Sequence, residues 1–337
     1  MSTLTPEALL SGPRGRRLCL AVAHRLHEPV WSALLQAAHT SPDHSHQGRL
    51  LDQLNEVEVG QVATWLDPTQ FVPSVAESVN RAMYWQEPDE EDVLASTPKV
   101  ADALVPIAAA ICASPAAAWW SSPVDLEHLR YTDRYDASHR DEPARPPHLN
   151  DAAAKLAAWH ADADKGSSRW WSAPLGNQLP WTTRPLPGLG STELVWEEDT
   201  LGHPSARVWH LTAAAAPRVY EIDSPSAWTA LVAQYPLDVT HSNSDEWRQV
   251  TGLEGPWLIP DYQAVANDWD GVHLTVAGYL ATATRALPLP QHGHTLLGGW
   301  DPDATWWLTD ALNLASAEPR LWHLNRDDQD QITWDAA

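Results

Sequence analysis

Apolar positions recur at i, i+3, i+4 and i+7 in several separate windows of the first third, the spacing of a helix with one buried face. Leu18, Ala21, Val22 and Leu26 form one stripe, interrupted at Arg25, and Trp31, Leu34, Leu35 and Ala38 form another. The clearest runs through Val100, Ala103, Leu104, Ile107, Ala108, Ile111 and Cys112, with Thr97 as N-cap and Pro98 in the first turn. Toward the C-terminus the period shortens to two. Val208 to Leu211 and Val219 to Ile222 read as half-buried strands, and Val272, Leu274 and Val276 place His273 and Thr275 on the opposite, polar face. Helical spacing returns after Ser224-Pro225, with a face of Trp228, Leu231, Val232 and Tyr235, and after Asp261, with Tyr262, Val265, Ala266 and Trp269. Trp300-Asp301-Pro302-Asp303 reads as a turn joining 295–300 to 305–308 in a hairpin.

These elements predict an α+β protein in which a helical N-terminal half precedes a mixed, partly antiparallel sheet domain with helices. Residues 1–129 form the helical part and 169–337 the mixed part. Between them, 130–168 is rich in charge, proline and histidine and reads as a polar linker, with one possible helix at Ala152 to His160. The acidic run from Glu87 to Asp92 reads as a solvated loop or helix start. Trp119-Trp120-Ser121-Ser122-Pro123 is echoed by Trp170-Trp171-Ser172-Ala173-Pro174. Each copy is expected to end an element, and the two corners could face one cavity.

Net charge changes which partners are plausible. At −23 over 337 residues, the chain is a poor match for nucleic acid or an anionic membrane surface, whose phosphates need neutralising by Lys and Arg. Arg14, Arg16 and Arg17 are the one basic cluster and read as a solvated turn before the first helix. No apolar run approaches bilayer length and no secretory leader is visible, so a soluble, cytoplasmic protein is expected. Cys19 and Cys112 lie in helical patterns and read as buried, reduced thiols. Twenty tryptophans against one phenylalanine, Phe71, make indole the default large aromatic, for use in a core or in the walls of a pocket.

Little of this carries a recognisable chemistry. His39, Asp43, His44 and His46 cluster, as do His292-Gly293-His294 and His160, Asp162 and Asp164, but no spacing fixes a full ligand set, and no metal is expected. Phosphate-cradling glycine loops and the Gly-x-Ser-x-Gly elbow are missing, and neither cysteine has a setting that would activate it, so no cofactor can be named. What remains is acid–base chemistry in a desolvated cleft, with Glu221, Asp261 and His273 as catalytic candidates. Arg184, in the Pro/Gly-rich loop Trp181 to Gly190, is a candidate anion binder. His210, Trp170, Trp171 and Trp300 complete the expected substrate site. In the competing reading, Asp223 and Asp261 merely start helices, and Glu221 and His273 lie on a solvated sheet face.

Trp269-Asp270-Gly271-Val272-His273-Leu274-Thr275-Val276-Ala277-Gly278-Tyr279-Leu280, followed by Gly299-Trp300-Asp301-Pro302-Asp303-Ala304-Thr305, resembles conserved hypothetical proteins of actinobacteria. The resemblance implies no activity. A strand ending in His-Leu-Thr beside an arginine-bearing loop is also similar to ADP-ribosyltransferase-like folds, which would imply an NAD-using enzyme, although the glutamate pair of many such enzymes is not evident. The leading expectation is an enzyme acting on a polar or cationic small molecule in a Trp-lined cleft. The alternative is a non-catalytic protein whose acidic surface meets a basic protein partner, which an exposed apolar patch of several hundred Å² would favour.

Overall fold

Proline opens most of the N-terminal helices, because its fixed φ suits the first turn and its missing N–H is not needed there. Helices Pro6–Ser11, Pro13–Leu26, Pro29–His39 and Pro98–Ala113 all begin this way. Pro98–Ala113 turns Val100, Leu104, Ile107, Ala108 and Ile111 inward, as its spacing predicts. The computed structural model describes residues 4–39, 44–135, 144–175, 179–199, 202–326 and 332–337. Among them no single helix is long and apolar enough to cross a membrane, and both cysteines are unpaired.

The strands are β1 (Leu129–Tyr135), β2 (Trp181–Thr182), β3 (Ser205–Ala213), β4 (Val219–Ile222), β5 (Pro236–Asp238), β6 (Leu258–Pro260), β7 (Gly271–Leu274), β8 (Ala286–Leu289), β9 (Gly293–Leu296), β10 (Thr305–Trp307), β11 (Leu312–Leu314), β12 (Arg320–Arg326) and β13 (Ile332–Ala336). One antiparallel sheet runs in the order β1-β3-β12-β13, with β11 also on β3. A second runs β2-β10-β7-β4, in which β4 and β7 are parallel. Two further pairs, β5-β6 and β8-β9, complete an α+β architecture.

The helical and mixed parts share one core. Leu18, Val22 and Leu104 belong to the same buried cluster as Leu274, Leu280, Leu296 and Trp300. The stretch read as a linker supplies β1, which pairs with β3 over its whole length, and helix Ala152–Asp162, whose Trp159 packs edge-on against Tyr262. Trp120, Trp196, Trp209, Trp228, Trp247, Trp257, Trp300 and Trp307 are fully buried and Trp65, Trp159, Trp306, Trp322 and Trp334 nearly so, so most of the indole wealth builds core.

Three local expectations are corrected. Arg14 and Arg17 lie inside helix Pro13–Leu26 and are buried, not solvated. The acidic run supplies their partners: Arg17 binds Asp89 at 2.6 Å, Asp92 at 3.1 Å and also Glu91, while Arg14 binds Asp92. Burial is tolerable because each guanidinium is matched by carboxylates. The expected 295–308 hairpin does not form. A turn exists, with Ala304 N–H on the Asp301 carbonyl at 3.2 Å, but β9 pairs with β8 and β10 with β2 and β7. The chain is diverted at Gly299 and Trp300, whose N–H groups are held at 2.8 and 3.1 Å by the buried Glu198 carboxylate. Third, Val276 does not extend β7. Thr275 caps helix Val276–Thr282 by accepting from Gly278 N–H at 2.9 Å, and His273 is buried at 1% exposure.

Candidate functional site

Parallel pairing of β4 with β7 sets Glu221 directly beside His273. Imidazole Nδ1 lies 2.5 Å from Glu221 Oε2, and Nε2 lies 3.4 Å from Asp303 Oδ1. Asp303, at φ 65° in the turn before β10, in turn accepts from Arg184 Nε at 2.6 Å, Arg184 N–H at 2.9 Å and the Thr192 hydroxyl at 3.3 Å. Arg184 also donates to the Pro123 carbonyl and lies 4.9 Å over the Trp119 ring. The other oxygen of Glu221 takes Val124 N–H at 3.0 Å.

The cluster is two cations alternating with two anions. Burial works against a charged His273, but Glu221 and Asp303 outweigh it and hold the ring's pKa above its ordinary value. Burial likewise opposes ionisation of Asp303, yet Arg184 and His273 keep its carboxyl below the usual range. A neutral imidazole could satisfy only one of the two flanking carboxylates, whereas the imidazolium donates to both. The crevice beside the ring, bounded by Val124, Thr183 and Thr305, is too narrow for a water-sized molecule.

Two of the three catalytic candidates are thus brought together, and the third is not. Asp261 caps helix Tyr262–Val265 by accepting from Gln263 and Ala264 N–H, and it pairs with His160 at 3.0 Å. Asp223 accepts from the Ser224 hydroxyl. Trp300 donates to the Ala304 carbonyl and packs near Tyr262 and Trp228 in the core. Trp170 stacks on Tyr84 at 5.5 Å and meets Trp171 edge-on. Asp303 sits in a turn, where no apolar pattern marks it, and only its partners Arg184, Thr192 and His273 reveal its place in the cluster.

His210 faces elsewhere. In the β1-β3 register it is opposite Arg130, and two residues back Val208 is opposite Arg320 of β12, so all four occupy one face of the antiparallel sheet. That face floors an open cavity of about 540 Å³, also lined by the loop Pro185 to Gly190, Trp322 and Trp334. Arg320 lies 5.1 Å over the Trp322 ring. Gly190 permits the loop's close approach, since a Cβ there would collide with the Trp322 indole. Among the described residues none of Arg130, His210 and Arg320 makes a salt bridge, although Asp125 acts on Arg130 from farther off; His210 reaches the Glu127 carbonyl at 3.4 Å and Arg130 the Leu129 carbonyl at 3.1 Å. Glu318 and Asp335 line the exposed rim, the latter bonded to Asn325 at 2.7 Å. Arg130 and Arg320 escaped the sequence reading because both strands that carry them lay in stretches with little apolar alternation.

Where sheet one meets the 190s loop, Glu193 is buried at 2% exposure, and one of its carboxylate oxygens has no hydrogen-bond partner. Burial, offset in part by Arg134, pushes its carboxyl up to about 8. Among the described residues no three His, Cys, Asp or Glu side chains converge as metal ligands. The His39, Asp43, His44 and His46 grouping falls on Asp43 and on the His44 and His46 side chains, which lie outside the described residues. His292 lies in the turn of the β8-β9 hairpin with Gly293 and His294 opening β9, and His160 is taken by Asp261. Comparison with known proteins adds no assignment: no protein family, curated protein or solved structure matches the chain.

Proposed function

We propose that the chain binds a small molecule in the cavity floored by β1, β3 and β12. The observation that carries this reading is a concave, open space of about 540 Å³ whose floor sets polar side chains beside indole rings. Such a volume is within the roughly 300–1,000 Å³ of small-molecule pockets. The wall is pre-formed: strand pairing fixes Arg130, His210 and Arg320, and Gly190 seats the loop on Trp322.

The Glu221–His273–Asp303–Arg184 cluster supports a different role. Its groups spend their strongest hydrogen bonds on one another, and the crevice beside them admits nothing. We read it as a buried brace that ties β4, β7, the Arg184 loop and the turn before β10 together. An acid–base reading draws on the 2.5 Å contact between His273 and Glu221. It requires turnover that disappears in Glu221→Gln at unchanged melting temperature, whereas a brace loses melting temperature first.

Binding is tested by thermal shift and tryptophan fluorescence against a metabolite panel spanning neutral sugars, amines, amino acids, carboxylates and phosphates. Ser316→Trp places an indole at the exposed mouth of the cavity. A saturable shift that vanishes in Ser316→Trp, with the unliganded melting temperature kept, supports the reading. A panel without response, or a shift that Ser316→Trp leaves intact, overturns it.

A further inference from the structure

We infer that the ligand of this cavity is an oxyanion, a small phosphorylated or carboxylated molecule, held by Arg130, His210 and Arg320. The inference rests on the binding role proposed above and adds the chemistry of the ligand.

Carboxylates outnumber lysine and arginine by 44 to 21, and several arginines are matched by one. Arg14, Arg17, Arg134, Arg184 and Arg207 are so matched. Among the described residues Arg130, which is half-buried, and Arg320, which is exposed, make no salt bridge, and they share one cavity floor. Burial works against the charge of Arg130 and the more distant Asp125 offsets this only in part, so an anion bound at this floor would relieve it. The register sets the spacing. Arg130 and His210 are cross-strand neighbours, with Cβ atoms about 5 Å apart, and Arg320 lies diagonally from His210 at roughly 7–8 Å. Long side chains at those spacings can converge on one group of phosphate or carboxylate size.

Stacking on Trp322 orients the Arg320 guanidinium and leaves its planar fork of N–H donors for a bidentate oxyanion. The acidic groups of this cavity, Glu318 and Asp335, are exposed at its rim. Water screens them more than it screens the half-buried Arg130 and His210 of the floor.

The test titrates the full chain with inorganic phosphate, pyrophosphate and citrate, with sucrose and spermidine as neutral and cationic controls. Wild type, Arg320→Gln, Arg320→Lys and Ser316→Trp are compared by calorimetry and thermal shift. Expected is saturable binding of at least one anion, weakened by 0.5 M salt, with Kd raised about tenfold or more in Arg320→Gln and less in Arg320→Lys, at similar unliganded melting temperature. The phosphate and citrate arms distinguish a phosphoryl from a carboxylate ligand. Sucrose or spermidine binding that Ser316→Trp abolishes and Arg320→Gln leaves unchanged overturns the oxyanion assignment and leaves the binding role standing. Anion binding untouched by Arg320→Gln overturns the assignment of Arg320. No binding by any probe, together with a silent metabolite panel, removes the binding role itself.

Discussion

At the scale of single residues, a buried charge in this protein is matched wherever it is structural. Arg17 meets three carboxylates, and His273 is held between two. Glu193 departs from that pattern, since burial is the largest influence on its state and Arg134 offsets it only in part. Its folded pKa, about 8, is above the value of a free glutamate, so the protonated form stabilises the fold and that contribution is lost as pH rises through 8. The raised pKa of His273 has the same sign. The melting temperature should therefore fall from pH 6 to pH 9. Glu193→Gln, which keeps the shape without the proton, should remove a loss on the order of 2–3 kcal/mol over that range, read from denaturant titrations at the two pH values. An equal fall in wild type and variant would show that Glu193 is not the titrating group. None of this was legible in the sequence. Glu193 has no pattern around it, and Arg14 and Arg17 looked solvated because the carboxylates that permit their burial lie some seventy positions away in Asp89, Glu91 and Asp92.

At the scale of elements, periodicity was a good guide wherever an element buries one face and short-range signals end it. Helices Pro98–Ala113 and Pro225–Gln234 and strands β3 and β4 lie where their apolar spacing puts them. That also made half of the His273 cluster legible, because Glu221 and His273 were read from strands that do pair. Asp303 and the diverted hairpin were not legible, since the first depends on non-local partners in Arg184, Thr192 and His273 and the second on the hold of Glu198 on Gly299 and Trp300. The strand β1 hid in a charged stretch because its partner, not its own alternation, makes it a strand. The same dependence on a neighbour gives a prediction at Gly190. Alanine there forces the Trp322 ring or the loop to move, a strain of roughly 1–3 kcal/mol. Gly190→Ala should lower the melting temperature and weaken any ligand of the cavity together. A variant as stable as wild type would mean that the loop gives way without cost.

At the scale of the whole molecule, helices from the first 129 residues and strands from the last third enclose one core. Leu18, Val22 and Leu104 pack into the cluster that holds Leu280 and Trp300, so neither part has a full hydrophobic interior alone. A single cooperative unfolding transition is expected, coincident by circular dichroism and tryptophan fluorescence, and a fragment of residues 1–129 should lack a cooperative melt. Two resolved transitions, or a folded fragment, would argue for two independent units. The sequence suggested such a division because the polar stretch between them reads as a boundary, whereas its β1 and its Trp159-bearing helix are packed in place.

If the cavity binds an oxyanion as proposed, a cationic floor in a molecule of net charge −23 would sort anions by size. A small oxyanion would then reach Arg320 after crossing the repulsive exterior over a distance comparable to the roughly 8–10 Å screening length of physiological salt. A polyanion must keep most of its charges in that exterior field. Raising ionic strength would then act oppositely on the two steps of binding, speeding entry through the acidic exterior while loosening the grip of the floor.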